Sequence, residues 1–192
     1  YGVLAALALL GMKKKFIITA IGTGAVLHLY RPFHSLLLQW AYLRADIVTT
    51  VSNFSRNEIL KKMPDIPIQV ITHGVDFDAW QNPKARPEIL SRIEKSKPYI
   101  ISVGAFRPRK GYKFSIRSFM KVKKQFPDLK YVIVGRKYGD HFYKKIGKLI
   151  LELHLENNIL VLEDVETRED LAALYRHAEL FCLLPRSLSN DF

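Results

Sequence analysis

Apolar runs of strand length alternate along the chain with longer stretches in which apolar residues recur every three or four positions. Lys15-Phe16-Ile17-Ile18-Thr19-Ala20 is β-branched and aromatic and ends at Gly22-Thr23-Gly24, so it predicts a strand. Leu27 to Leu43 is long and apolar, with Leu36, Trp40 and Leu43 on one line, and predicts a single helix. Asp46 to Val51 reads as a second strand. Ser52 opens a helical stretch running to Met63, with Ser55 and Glu58 at capping-box spacing. Pro67 to Ile71 predicts a third strand, ending in the turn Thr72-His73-Gly74-Val75-Asp76.

Phe77 to Pro87 has no period and two prolines, which predicts a linker. Beyond it the alternation restarts. Tyr99–Val103, Lys130–Val134, Ile159–Leu162 and Glu179–Leu184 read as strands. Between them, Tyr112–Lys124 places Tyr112, Ile116, Phe119 and Met120 on one helical face with lysines opposite, Phe142–Leu153 is helical, and Thr167 with Asp170 marks another helix start. Strands that are apolar almost throughout are covered on both faces, so the pattern predicts α/β architecture with parallel sheets, one set on each side of the linker. No repeat and no low-complexity segment interrupts it.

Length and composition narrow this further. At 192 residues and 48% hydrophobic, the chain is long enough for one large or two small domains and excludes a disordered tail, a collagen-like fibre and a disulfide scaffold. The single cysteine, Cys182, sits among apolar neighbours and reads as a buried thiol of a reducing compartment. Tyr1 to Leu10, followed by Lys13-Lys14-Lys15, has about half of the ~20 apolar residues a spanning helix needs, and its cations follow rather than precede the apolar run of a signal peptide. It predicts a buried helix of the α/β domain.

Charge is the imbalance. Against a formal net charge of +12 for the chain, Arg92 to Lys148 carries seventeen basic and three acidic residues, a local +14. That half is expected to face phosphates, on nucleotides, nucleic acid or anionic lipid.

Ligands of open parallel sheets bind beyond the carboxyl ends of strands. Three loops hold that position. The first, Gly104-Ala105-Phe106-Arg107-Pro108-Arg109-Lys110-Gly111, runs from a strand through three cations to a glycine that opens an amphipathic helix. A helix N-terminus offers free N–H groups and a partial positive charge, Lys110 a mobile point charge, and Arg107 or Arg109 a planar fork suited to a diphosphate. By spacing alone, a solvated basic turn, its glycine needed only for the backbone angle, is the slightly favoured reading. Neither the Walker pattern nor Gly-x-Gly-x-x-Gly is present, so no ATPase or dehydrogenase is indicated. The second loop holds His73, Gly74 and Asp76, where a tight turn with Gly74 left-handed is the simpler reading. The third holds Ser52, most simply a helix cap.

Taken in order, Ala45-Asp46-Ile47-Val48-Thr49-Thr50-Val51-Ser52, Val70-Ile71-Thr72-His73-Gly74-Val75-Asp76, Val103-Gly104 with Lys110-Gly111, Phe126-Pro127-Asp128-Leu129-Lys130-Tyr131-Val132-Ile133-Val134-Gly135 and Ala178-Glu179-Leu180-Phe181-Cys182-Leu183-Leu184-Pro185 resemble the GT-B glycosyltransferases. The likeness is to the retaining, nucleotide-sugar-dependent family 4 or "group 1" type, and it runs from about Ile17 to the end.

The resemblance implies two Rossmann-like domains facing a cleft, both truncated here. Residues 1–82 would be the rear of the acceptor-side domain and 83–192 the front of the donor domain. It implies transfer of a hexose from a UDP- or GDP-sugar to a carbohydrate or lipid-linked hydroxyl, with retention, no metal and no cofactor. Gly104, Arg107, Arg109 and Lys110 would hold the donor diphosphate, with Lys110 catalytic, while Gly22, Ser52, His73, Gly74, Asp76 and Gly135 would line other cleft loops. Three positions depart from the family pattern. Ala105 stands where the family arginine follows the first glycine, Glu163 where glycine is common, and Ile21 where many members carry histidine.

The opening on Tyr1 and the run Pro185 to Phe192, which resembles the approach to a paired-glutamate motif, predict the middle half of an enzyme that would not turn over alone. A cytoplasmic protein, resting peripherally on the inner membrane face, is expected. The competing class is a non-catalytic basic module binding anionic membrane or nucleic acid, carried by Lys113, Arg117, Lys121 and Lys124. The absence of a nucleic-acid motif speaks against nucleic acid as its partner. An epimerase or phosphorylase shares the architecture but not the His-Gly-Val-Asp and Lys-Gly pair so closely.

Overall fold

The structure, a computed structural model, describes residues 1–22, 24–136 and 140–185. It divides into two compact units, Tyr1–Val75 and Asp76–Phe192.

The first unit has three parallel strands in the order β1 (Ile17–Ala20), β2 (Ile47–Thr50), β3 (Ile68–Val70), with α1 (Gly2–Ala8), α2 (Gly24–Leu27), α3 (Pro32–Arg44) and α4 (Asn53–Leu60) around them. Its core gathers Ile18, Ala20, Leu29, Ala41, Tyr42, Val48 and Ile59. The single helix expected over 27–43 is broken. A 3-10 turn, His28–Tyr30, separates α2 from α3, and Arg31 is extended (φ −104°, ψ 125°) because Pro32 follows it. The helix expected to be buried at the N-terminus forms, but only Ala6 of α1 is buried, and Leu4, Leu7 and Leu10 are exposed.

The second unit is a four-stranded parallel sheet in the order β6 (Ile159–Leu162), β5 (Lys130–Val134), β4 (Tyr99–Val103), β7 (Leu180–Phe181). Its helices are α5 (Phe77–Gln81), α6 (Pro87–Ser96), α7 (Tyr112–Val122), α8 (Asp140–Glu152) and α9 (Arg168–Arg176). The alternation of β5 explains the unbroken apolar strands. Tyr131 and Ile133 join Ile116 and Phe119 of α7 and Ile146 and Leu149 of α8, while Val132 and Val134 join Ile89 and Ile93 of α6 and Leu174 of α9.

The segment expected as linker is partly helical. α5 packs on α9, where Trp80 meets Tyr175 with ring centroids 5.9 Å apart, so residues 76–82 fold with the second unit. α6 begins inside the expected linker at Pro87, whose missing N–H costs nothing in the first turn. β7 is shorter than expected, and Cys182 beyond it is half-buried rather than buried, its backbone N donating to Ile101 O at 2.8 Å.

Candidate functional site

The order of the second sheet sets the site. From β4 the chain steps outward to β5 and β6, then returns to lay β7 on the other side of β4. The strand order therefore reverses at β4, and the loop leaving its carboxyl end stands where open α/β sheets bind ligands.

That loop is held by its buried parts. Gly104 N donates to Val134 O at 2.9 Å and Phe106 N to Arg136 O at 3.1 Å, so the loop starts as a continuation of the β4–β5 ladder. The Phe106 ring is fully buried, edge-on to Tyr143 at 5.2 Å and beside Tyr112 at 5.4 Å. Pro108–Lys110 then makes one 3-10 turn, and Gly111, at φ +72°, starts α7 with no side-chain cap.

Two glycines let backbones meet here, and a third lets side chains lie against the chain. A Cβ on Gly135 would lie 2.0 Å from Gly104 O, and one on Gly111 would lie 1.7 Å from Leu184 O. Gly104 has φ +154°, and a Cβ there would lie 3.1 Å from Lys110 Cε and 3.3 Å from the Tyr112 hydroxyl. The Lys110 stem thus lies across Gly104. The Tyr112 hydroxyl donates to Gly104 O at 2.6 Å, and burial pushes this phenol well above its usual range, so it remains a donor. Arg107, Arg109 and Lys110 are all half-buried.

Beside this loop is a cavity of about 440 Å³ at the carboxyl ends of β4, β5 and β6. Val103, Gly104, Gly135, Arg136, Glu163 and Glu166 line it, and Thr167, Arg168 and Leu171 bring in the first turn of α9. Trp80 of α5 contributes as well. Gly104 is the link between the two features, since it lines the cavity and the Lys110 stem packs against it.

The α9 wall is fixed by a buried carboxylate. Thr167 caps α9, its side chain accepting from Asp170 N at 3.1 Å. Asp170 Oδ1 accepts from Arg86 N at 2.9 Å and Oδ2 from Arg86 Nε at 2.7 Å, which ties the start of α6 to the start of α9. Burial alone would raise the Asp170 pKa, but the Arg86 backbone and guanidinium and the Thr167 hydroxyl together hold it below the ordinary carboxylate range. Arg86 Nη2 also donates to Asp164 O at 2.7 Å, and Arg92 grips the Asp164 carboxylate at 2.7 Å.

Gly104 touches both Gly135 and the Lys110 stem, and of the loop's three cations, Arg107, Arg109 and Lys110, none lines the cavity. The other expected loop residues are set differently. In the first unit, the loops bearing Gly22, Ser52 and His73-Gly74 follow β1, β2 and β3, and parallel pairing puts them at one edge of that sheet. Gly22 is left-handed at φ +74°. Ser52 caps α4, its Oγ accepting from Ser55 N at 3.2 Å. His73, Gly74 and Asp76 lie in an exposed segment, and Gly74 is not left-handed. Of the approach expected over Pro185 to Phe192, all but Pro185 lies outside the described residues.

Sequence reasoning missed Arg136, Glu166, Arg168 and Trp80. The rule that singled out Gly104 applies equally to residues after β5 and β6, so it could have found Arg136 and Glu166. Trp80 had no such signal, standing in a segment without period.

A family model described as "Glycosyl transferases group 1" matches residues 87–189, and one described as "Glycosyltransferase Family 4" matches residues 1–79. An uncharacterized glycosyltransferase of Methanocaldococcus jannaschii is 25% identical over 138 residues, which are 70% of this chain and 33% of that protein. Among solved structures, Anabaena HepE in complex with UDP superposes with a TM-score of 0.78 at 17% identity, over 97% of this chain and 51% of that one. A UDP-forming α,α-trehalose-phosphate synthase from Burkholderia vietnamiensis gives a TM-score of 0.72 at 14% identity, over 93% of this chain and 48% of that one. These structures are alike in fold, which is GT-B, and the chain spans about half of their length and a third of the curated relative's.

Proposed function

Because this chain belongs to the glycosyl transferases group 1 family, we propose that it serves sugar transfer from a nucleotide-sugar donor whose diphosphate is gripped by Lys110. The donor is a UDP- or GDP-hexose, the acceptor a hydroxyl on a carbohydrate or a lipid-linked glycan, and the anomeric configuration is retained. The observation that carries this reading is the Lys110 stem laid across Gly104, a residue that lines the cavity, and one residue before the glycine that opens α7.

In the transfer the bond between the anomeric carbon and the diphosphate oxygen breaks, and both electrons stay on that oxygen. The acceptor oxygen bonds the same face of the carbon, and its proton leaves with the diphosphate. Negative charge grows on the departing phosphate, so a cation fixed beside it lowers the barrier without any metal. Lys110 supplies that charge, the start of α7 adds its partial positive charge, and Arg107 or Arg109 takes the role of the family arginine that Ala105 replaces. The nucleoside enters the cavity against Arg136 and Glu163.

Calorimetry of this chain with UDP, GDP and uridine tests the grip directly. Lys110→Ala is expected to weaken diphosphate binding by roughly 10- to 100-fold, in line with a charge-assisted hydrogen bond, while uridine binding stays unchanged. In the longer protein the same change is expected to lower transfer by ~10²-fold or more. Wild-type diphosphate affinity in the variant, or transfer at the wild-type rate, refutes the role given to Lys110.

A further inference from the structure

The cavity at the carboxyl ends of β4, β5 and β6 lies wholly within the second unit, and its charges are more than a diphosphate needs. Phosphate oxygens call for cations, and Arg136 and Arg168 are in the wall. Two carboxylates, Glu163 and Glu166, are in the wall as well. A carboxylate beside an anionic ligand costs binding unless that ligand also brings N–H or O–H groups for it to accept.

The acids around the start of α9 are engaged in two ways. The Asp164 carboxylate accepts from Arg92 at 2.7 and 2.8 Å, and Asp170 accepts from Arg86, so these two fasten the wall to α6. Glu163 is placed otherwise. The register that pairs Val134 with Leu162 sets Glu163 level with Gly135, one residue before Arg136. Leu162 O accepts from Gly135 N at 3.0 Å, which carries the ladder up to that level. Glu163 is half-buried, whereas Glu166 is exposed and lies in the field of Arg86. The less hydrated of two carboxylates separates ligands more sharply.

Resting on the sugar-transfer reading, we propose that Glu163 reads the base of the donor nucleotide and selects guanine over uracil. Along its pairing edge guanine presents a carbonyl, a ring N–H and an exocyclic amine. Uracil presents a carbonyl, a ring N–H and a second carbonyl. The two edges differ only at the third place, where a donor stands in guanine and an acceptor in uracil. A carboxylate only accepts, so it takes both N–H groups of guanine as a bidentate pair and meets a repelling oxygen on uracil. Arg136 donates to the carbonyl that both bases share, which adds affinity without adding choice. Trp80, Val165 and Leu171 give the ring apolar walls, and at about 440 Å³ the cavity has room for a purine.

Calorimetry of this chain with GDP, inosine diphosphate and UDP at ~0.15 M salt tests the choice. The wild type is expected to bind GDP about ten- to hundredfold more tightly than UDP, the discrimination of one bidentate pair. Inosine diphosphate keeps the ring N–H but has a C–H in place of the amine, and is expected to fall between them. Glu163→Gln, close in shape and checked for native circular dichroism, is expected to lose about tenfold or more in GDP affinity and nothing in UDP affinity. Equal affinities of the wild type for GDP and UDP, or a preference that Glu163→Gln leaves intact, overturn the proposal. So does an equal loss of GDP and UDP affinity in that variant, because the carboxylate would then hold the ribose hydroxyls that the two nucleotides share. In all three cases the sugar-transfer reading survives if Lys110→Ala still weakens both diphosphates. Binding of neither diphosphate by the wild type overturns that reading and this proposal together.

Discussion

Removing the Arg86 guanidinium should destabilise the second unit by about 2 kcal/mol near neutral pH, and the loss should disappear in acid. Asp170 is fully buried and accepts two N–H groups from Arg86, one from the backbone at 2.9 Å and one from the guanidinium at 2.7 Å. Arg86→Ala keeps the first and deletes the second, which is the charged one. A hydrogen bond to a charged group contributes about 1.5–3 kcal/mol, and the guanidinium is partly exposed, so water recovers part of it; hence the figure of about 2.

The pH dependence follows from direction. The folded Asp170 pKa lies below its unfolded value, so its contribution is complete above the unfolded pKa of about 3.9 and is lost as pH falls through the lower folded value. Without the guanidinium, burial, the largest influence on this carboxyl, is less opposed and the folded pKa rises. Urea unfolding in a Trp40→Phe background reads the second unit through Trp80, which rests on Tyr175 of α9. With a slope of about 2 kcal/mol/M, the midpoint should drop by about 1 M at pH 7 and by much less near pH 3. An equal drop at both pH values would mean that the side chain acts by packing, and the charge argument would fail.

Gly135→Ala should destabilise the second unit by about 3 kcal/mol or more, because the added carbon meets the Gly104 carbonyl at 2.0 Å and neither partner is a flexible side chain; urea titration checks it. Tyr99→Phe leaves the carbonyl of Leu174, 2.7 Å from the hydroxyl, without its buried donor, and should cost about 1–2 kcal/mol by the same titration. Ser52→Ala removes the cap of α4 and should cost the first unit about 1 kcal/mol, seen as a lower unfolding midpoint by Trp40 fluorescence in a Trp80→Phe background.

The second sheet was legible because its strands are covered on both faces. Tyr99–Val103, Lys130–Val134 and Ile159–Leu162 have the bounds that their apolar runs predict. α7 was legible for the complementary reason, a clean division between Tyr112, Ile116 and Phe119 inside and Lys113, Arg117 and Lys121 outside. Where apolar content carried no such division, the pattern misled. Leu27 to Leu43 is apolar on every side, so its period could not reveal the break at Arg31-Pro32, which only proline chemistry enforces. The prolines of 77–87 predict a linker, although one of them opens α6 and Ile89 and Ile93, four apart, are both buried. The cationic loop was visible as a strand–glycine–helix junction. The rest of the cavity was not, because Arg136 and Glu166 come to line one cavity only through the pairing of β5 with β6, and Trp80 arrives from another helix.

The charge excess alone says little about where a phosphate would be held, since seventeen cations between Arg92 and Lys148 are spread over three helices, a strand and several loops. What singles out Lys110 is confinement. Its stem occupies the space that a side chain on residue 104 would need, the Tyr112 hydroxyl fixes the carbonyl of that same residue, and the backbone of Leu184 closes over the glycine that follows. Each of these contacts depends on a glycine, and at Gly111 and Gly135 even the smallest side chain would strike a backbone carbonyl. A lysine on an open helix face loses rotamer freedom when it binds a ligand. A lysine already threaded past Gly104 has given up part of that freedom on folding, which leaves more of its electrostatic attraction as net affinity. The three glycines therefore do for this ammonium what a rigid scaffold does for a binding group, and the lysines of α7, equal in charge, lack that preparation.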